Sequence, residues 1–159
     1  MGLNKGPFIV SKSISVDDPY DTTDPDVILL PKDPPGSFED VLTIDVCVKQ
    51  PGKTKVRIDS MAQIAVNIST TEDVTPFQVT YEVLRNNQRI ALINDQMQYD
   101  TSSDDVDRHN NFPNYPIIDN NPDPGINQYV LRCTDVLCVA RIDVTVGSRS
   151  LVATVFESK

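Results

Sequence analysis

Oxygen-bearing side chains at alternating positions can gather around a hard cation, and Asp119, Asn121 and Asp123 stand at that spacing. Calcium takes roughly six to eight oxygens, which loop Asp and Asn residues commonly supply. A second acidic group, Asp104, Asp105 and Asp107, lies upstream in the same polar stretch. In an EF-hand frame opening at Asp119, the turn position for glycine holds Pro124, with Gly125 one place late, and the distal glutamate is missing. The expectation is therefore Ca2+ held by Asp119, Asn121 and Asp123, set against a solvated, turn-rich loop without a metal.

The chain has one histidine, His109, which limits acid–base chemistry to a set such as His109 with Asp107 and a distant serine, or to a pair of carboxylates. GxSxG, GxGxxG, phosphate-cradling and HExxH patterns are all missing. A chain with these residues is not expected to be an enzyme and has no catalytic or cofactor-binding residues to nominate.

The three cysteines, Cys47, Cys133 and Cys138, are an odd number, and no CxxC pair accompanies the single histidine. Structural zinc is not expected. Cys133 and Cys138 bracket four residues, so a hairpin would set them opposite each other. They are either a cross-strand disulfide or two reduced, apolar packers. Strand parity turns Cys47 outward, where it is either a link to a neighbouring subunit or a thiol that is free or paired within the chain.

The elements that would position these groups are strands. Leu42, Ile44, Val46 and Val48 alternate with Thr43, Asp45, Cys47 and Lys49. Val56, Ile58, Ala62, Ile64, Val66 and Ile68 share one parity, and Phe77, Val79, Tyr81 and Val83 share another. Asn86-Asn87 suits a two-residue hairpin turn, since asparagine tolerates positive φ. Further strands are expected at Arg89 to Ile93, at Tyr129 to Leu131, at Ala140 to Val146 and at Leu151 to Val155, the last two separated by a turn at Gly147-Ser148. No stretch keeps helical periodicity. The reading is all-β: a jelly-roll-like antiparallel β-sandwich of about eight strands, with residues 100–124 as a long polar loop.

Residues 1–40 differ from the rest. Pro7, Pro19, Pro25, Pro31, Pro34 and Pro35 interrupt regular structure, and five aspartates lie between positions 17 and 26. Two apolar pieces survive, Phe8-Ile9-Val10 and Val27-Ile28-Leu29-Leu30. The division expected is an extended N-terminal arm over 1–40, carrying one or two edge-strand pieces, and a sandwich over 41–159, with those seven residues as the assembly contact. A disordered tail is the alternative. Deleting residues 1–35 is expected to leave a folded, smaller species.

The chain has 159 residues, enough for one domain. Its formal net charge of −9 opposes phosphate and anionic lipid surfaces, so neither nucleic acid nor membrane insertion is expected. The first fifteen residues lack the apolar core of a classical secretion signal.

Three stretches together resemble small β-sandwich surface proteins of endospore-forming Gram-positive bacteria: Tyr81-Glu-Val-Leu-Arg-Asn-Asn, Asp123-Pro-Gly-Ile-Asn-Gln-Tyr-Val-Leu and Val146-Gly-Ser-Arg-Ser-Leu-Val-Ala-Thr-Val. The group is similar to the C1q and tumour-necrosis-factor-like jelly rolls and includes exosporium and spore-appendage subunits. The resemblance spans about residues 55–156 and implies a structural part of a spore-surface fibre or layer. It also implies an N-terminal extension that reaches a neighbour, although this arm lacks the cysteine of the appendage pattern.

The function expected is a self-assembly subunit whose arm adds a strand to the next copy, with disulfides as a further link and other surface proteins as additional partners. The alternatives are a calcium-assisted module binding carbohydrate or a receptor through the 100–124 loop, and a viral or phage capsid or decoration jelly roll in a virion.

Overall fold

The computed structural model describes residues 7–68, 75–99, 107–139 and 141–157. Ten strands are present among them: β1 (Phe8–Ile14), β2 (Ile28–Leu29), β3 (Phe38–Val48), β4 (Thr54–Ile68), β5 (Thr75–Arg85), β6 (Gln88–Tyr99), β7 (Asp107–Asn111), β8 (Ile117–Asp119), β9 (Gly125–Asp135) and β10 (Ile142–Glu157). One sheet has the order β1-β10-β4-β7, with β2 on β10 and β8 on β4; the other has the order β3-β9-β5-β6. Every pairing is antiparallel.

Setting aside the short β2 and β8, the first strand pairs with the last, the next with the next to last, and so inward to the β5–β6 hairpin. A long hairpin rolled up in this way is the jelly roll. The expected fold class holds.

Alternation explains why the sheets close on each other. In β4 the residues Val56, Ile58, Ala62, Ile64, Val66 and Ile68 are all buried. They meet Leu42, Ile44, Val46 and Val48 of β3 and Phe77, Val79, Tyr81 and Val83 of β5 in one core. Each of the valine, leucine, isoleucine and phenylalanine side chains among them stabilises the fold by about 1.5–3 kcal/mol on burial. Asn86 and Asn87 turn the β5–β6 hairpin with φ of 49° and 66°.

Three expectations need correction. Gly147-Ser148 is not a turn between two strands but a bulge within one, β10. The register slips between Val146 and Arg149, so burial passes from Val144 and Val146 to Leu151, Ala153 and Val155. One extra residue reverses the parity while the strand continues. A Cβ at Gly147 would lie 2.7 Å from the Pro19 Cβ and 2.8 Å from the Gln63 Oε1, so only glycine fits.

The second correction concerns residues 100–124. Within this supposed loop, β7 and β8 pair with β4, and Asn114 bridges Met61 between them. Asp104 and Asp105 lie outside the described residues.

The third correction concerns the arm. Phe8–Ile14 pairs residue for residue with Arg149–Val155 of the same chain, so it is the first strand of the roll. Beyond it, the Val16 N–H donates to the Ser148 Oγ (2.9 Å) and the Thr145 hydroxyl donates to the Pro19 carbonyl (2.7 Å). The segment thus covers the outer face of the first sheet, which is why Thr145 and Ala65 are buried although alternation turns them outward. Leu30 enters the core, Val27 is buried, and Val10, Ile14 and Ile28 pack against the core. Only Phe8, Ile9 and Leu29 of the expected contact remain exposed. The apolar pieces between the prolines find burial at home. Deleting residues 1–35 now means deleting a strand and its cover.

Candidate interaction surface at the open side of the sandwich

The four sheet edges are not equivalent. On one side β1 and β3 lie against each other, which closes the roll there. On the other side, β6 of one sheet faces β7 and β8 of the other across a wider gap. Among the contacts that span it, the Asn111 Nδ2 donates to the Asp95 carboxylate at 2.6 Å, and the Phe77 and His109 rings lie 6.2 Å apart.

This open side carries exposed apolar surface. Leu92 on β6 is 45% exposed, and Phe112, Tyr115 and Ile118 on the segment from β7 to β8 are 53%, 43% and 54% exposed. Pro113 and Pro116 break that segment, so it cannot offer a regular row of N–H donors. Between the two edges is a cleft of about 300 Å³ lined by Arg85, Gln88, Ile90, Ile117, Ile118, Asp119, Asn120 and Asn121. The sequence reading missed this surface because Phe112, Tyr115 and Ile118 do not alternate and sit among polar residues.

Two of the residues expected to hold calcium, Asp119 and Asn121, line this cleft, and Asp123 lies beside it near Arg85. Asp119, Asn121 and Asp123 do converge, but around a guanidinium. The Arg85 Nη1 donates to both Asp119 carboxylate oxygens at 2.9 Å and to the Asn121 carbonyl at 2.6 Å, and its Nη2 lies 3.9 Å from the Asp123 carboxylate. The Tyr129 hydroxyl donates to the Asp119 Oδ2 at 2.7 Å, and the Asn86 amide donates to Asp123 at 3.2 Å.

Burial works against the Arg85 charge. The hydrogen bond and attraction of Asp119, helped by Asp123 and Tyr129, outweigh it and hold the pKa above its usual value. The Tyr129 phenol is also raised, first by burial and then by its bond to Asp119. Among the described residues, no group of three or more His, Cys, Asp or Glu could hold a metal.

Calcium would have to displace a cation already matched to these oxygens. The melting temperature is therefore expected to be the same in excess calcium and in chelator, as thermal denaturation followed by circular dichroism would report. A rise with calcium would restore the metal reading.

The cysteines are all free thiols. Cys133 is in the core rather than in a cross-strand bond, and burial pushes its pKa up to about 12 against the opposing pull of Arg149. Cys138 does not face it across a hairpin. It ends a turn at φ 52°, where its N–H donates to the Asp135 carboxylate at 3.0 Å. Cys47 points outward as parity required, beside exposed Ile126 on the neighbouring strand.

No family model and no curated protein matches this chain. Among solved structures it is similar to dimeric latent PorU from Porphyromonas gingivalis, at 8% identity and a TM-score of 0.43, over 94% of this chain and 13% of that one. It is also similar to infectious bursal disease virus, Gt strain, at 8% identity and a TM-score of 0.37, over 95% of this chain and 33% of that one. The VP2 subviral particle of infectious bursal disease virus follows at 10% identity and a TM-score of 0.23, over 96% and 41%. The chain spans less than half the length of each of these proteins, and at such scores none of them bears on what it does.

Proposed function

We propose that this chain is a non-catalytic structural subunit that assembles with copies of itself through the open side of its jelly roll. The observation that carries this reading is the exposure of large apolar side chains at both strand edges of the open side, Leu92 on β6 and Phe112, Tyr115 and Ile118 on the segment from β7 to β8, in a protein whose net charge is −9. Large apolar side chains left exposed beside an open sheet edge are candidates for a contact with another chain. The general charge keeps copies apart elsewhere, so association is confined to the apolar side.

The setting implied by the motif resemblance is a spore-surface layer, with a virion shell as the alternative. Arm donation is replaced as the mechanism, because β1 completes its own sheet. Native mass measured with and without reductant tests the reading. Assemblies larger than one 17.7 kDa chain are expected in both conditions. A single chain at every concentration would refute it, and a larger species only without reductant would assign the contact to Cys47.

A further inference from the structure

Among the described residues, β6 has a neighbour on one side only, and this edge differs from the others in chemistry. β1 is seven residues long and carries Lys12, β3 is bulged between Asp40 and Leu42 and carries Glu39, Asp40 and Asp45, and the β7–β8 edge is broken by prolines. These are the usual guards of a sheet edge. β6 has twelve residues, Gln88–Tyr99, without proline or lysine, and beyond Ala91 its pairing with β5 is regular. Its charged residues are Arg89, which pairs with Glu82 at 3.0 Å, and Asp95, which is turned inward to Asn111. The strand is neutral in a chain of net charge −9.

The outward face of β6 is a row of Leu92, Asn94, Gln96 and Gln98, all exposed. Gln78 on β5 already donates from its Nε2 to the Asn94 carbonyl oxygen at 2.8 Å. A side-chain amide holds both donors and an acceptor, so a row of amides complements a copy of itself. A row of carboxylates does not. A two-fold axis sets like against like, which would oppose Asp45 to itself on β3 but brings only amides and Leu92 together on β6.

We infer that β6 pairs antiparallel with β6 of a second copy across a two-fold axis, joining two four-stranded sheets into one of eight. An axis at Asn94 sets Leu92 opposite Gln96 of the other copy and keeps the two Asp95 carboxylates from facing each other. Main-chain hydrogen bonds supply the pairing. The inference rests on the self-assembly reading above and names its geometry.

Sedimentation velocity on the full chain tests it, comparing the native protein with Asn94→Lys/Gln96→Lys and, as an edge control, Ser11→Lys on β1. Lysines repelling across the axis are expected to weaken dimerisation by about tenfold or more, with the control unchanged. A native protein that stays monomeric sinks both the inference and the self-assembly reading. A dimer that survives the β6 lysines, or is lost only with Ser11→Lys, sinks the inference alone. Should the lysine variant fail to fold, hydrogen exchange of the native protein decides. Protection of the β6 amides that falls on dilution supports the pairing, and protection independent of concentration overturns it.

Discussion

Replacing Arg149 by methionine is expected to cost about 3–5 kcal/mol of folding stability, measured as a lower midpoint in chemical denaturation. Arg149 is buried, yet it faces carbonyls rather than a carboxylate. Its Nε donates to Val41 (2.9 Å), and its Nη1 donates to Asp26 (2.6 Å) and Gly147 (2.8 Å). One guanidinium thereby ties the N-terminal segment, β3 and the β10 bulge together. Burial lowers its pKa, with Asp26 and Cys133 opposing, which reflects the penalty of keeping this charge inside.

Methionine fills much of the space but leaves three carbonyls without their donor, each costing about 1–3 kcal/mol if water cannot reach it. Lysine can serve one or two of them, since it lacks the planar fork, and should fall between. A domain with about 5–15 kcal/mol of total stability would be left marginal. A loss below about 1 kcal/mol would show that water replaces the guanidinium, and that the N-terminal segment is held by its other contacts, the pairing of β1 and β2 with β10 and the burial of Leu30.

Arg85→Met is expected to have an effect of similar size, about 3–5 kcal/mol, for the opposite electrostatic reason. Here a carboxylate is left behind. The Asp119 side chain is 8% exposed and would keep the Tyr129 hydroxyl and the Asn121 N–H while losing its only cation among the described residues. Replacing both partners, Arg85→Met with Asp119→Leu, should recover a large part of the loss, because the unpaired charge goes with its partner. Denaturant melts of the two single variants and the double variant measure the coupling. Additive losses would mean that the ion pair contributes little and that the cleft lining is held by packing.

The parts of the fold legible in the sequence were those set by local alternation. The parities of β3, β4 and β5 follow from their own β-branched residues, and Asn86-Asn87 fixes its hairpin without reference to distant residues. In the N-terminal segment the edge-strand pieces were legible but their partner was not, because Arg149–Val155 lies at the other end of the chain, and proline-rich flanks look alike whether they wrap a sheet or float free. The bulge was read as a turn because glycine and serine serve both, and only the Pro19 contact tells them apart.

The acidic cluster was legible as a convergence of Asp119, Asn121 and Asp123, although Asn121 joins it through its backbone carbonyl rather than its side chain. Its cation was not, because Arg85 ends a strand well upstream and no spacing rule links the two. Cys133 and Cys138 have hairpin spacing, but β9 runs on to Asp135 and the chain then turns without a returning strand directly opposite.

Everything proposed for the open side depends on the roll closing within one chain, with β1 on its own β10. Ser13 and Ser150 face each other in that pairing. The most direct measurement is cross-linking of Ser13→Cys/Ser150→Cys, with Cys47 and Cys138 changed to serine, by oxidation or a short thiol-reactive bridge, read on a denaturing gel. Closure within the chain predicts a cross-linked single chain of unchanged mass and increased mobility; a ladder of covalently joined chains would show that β1 is donated to a neighbour and would contradict it.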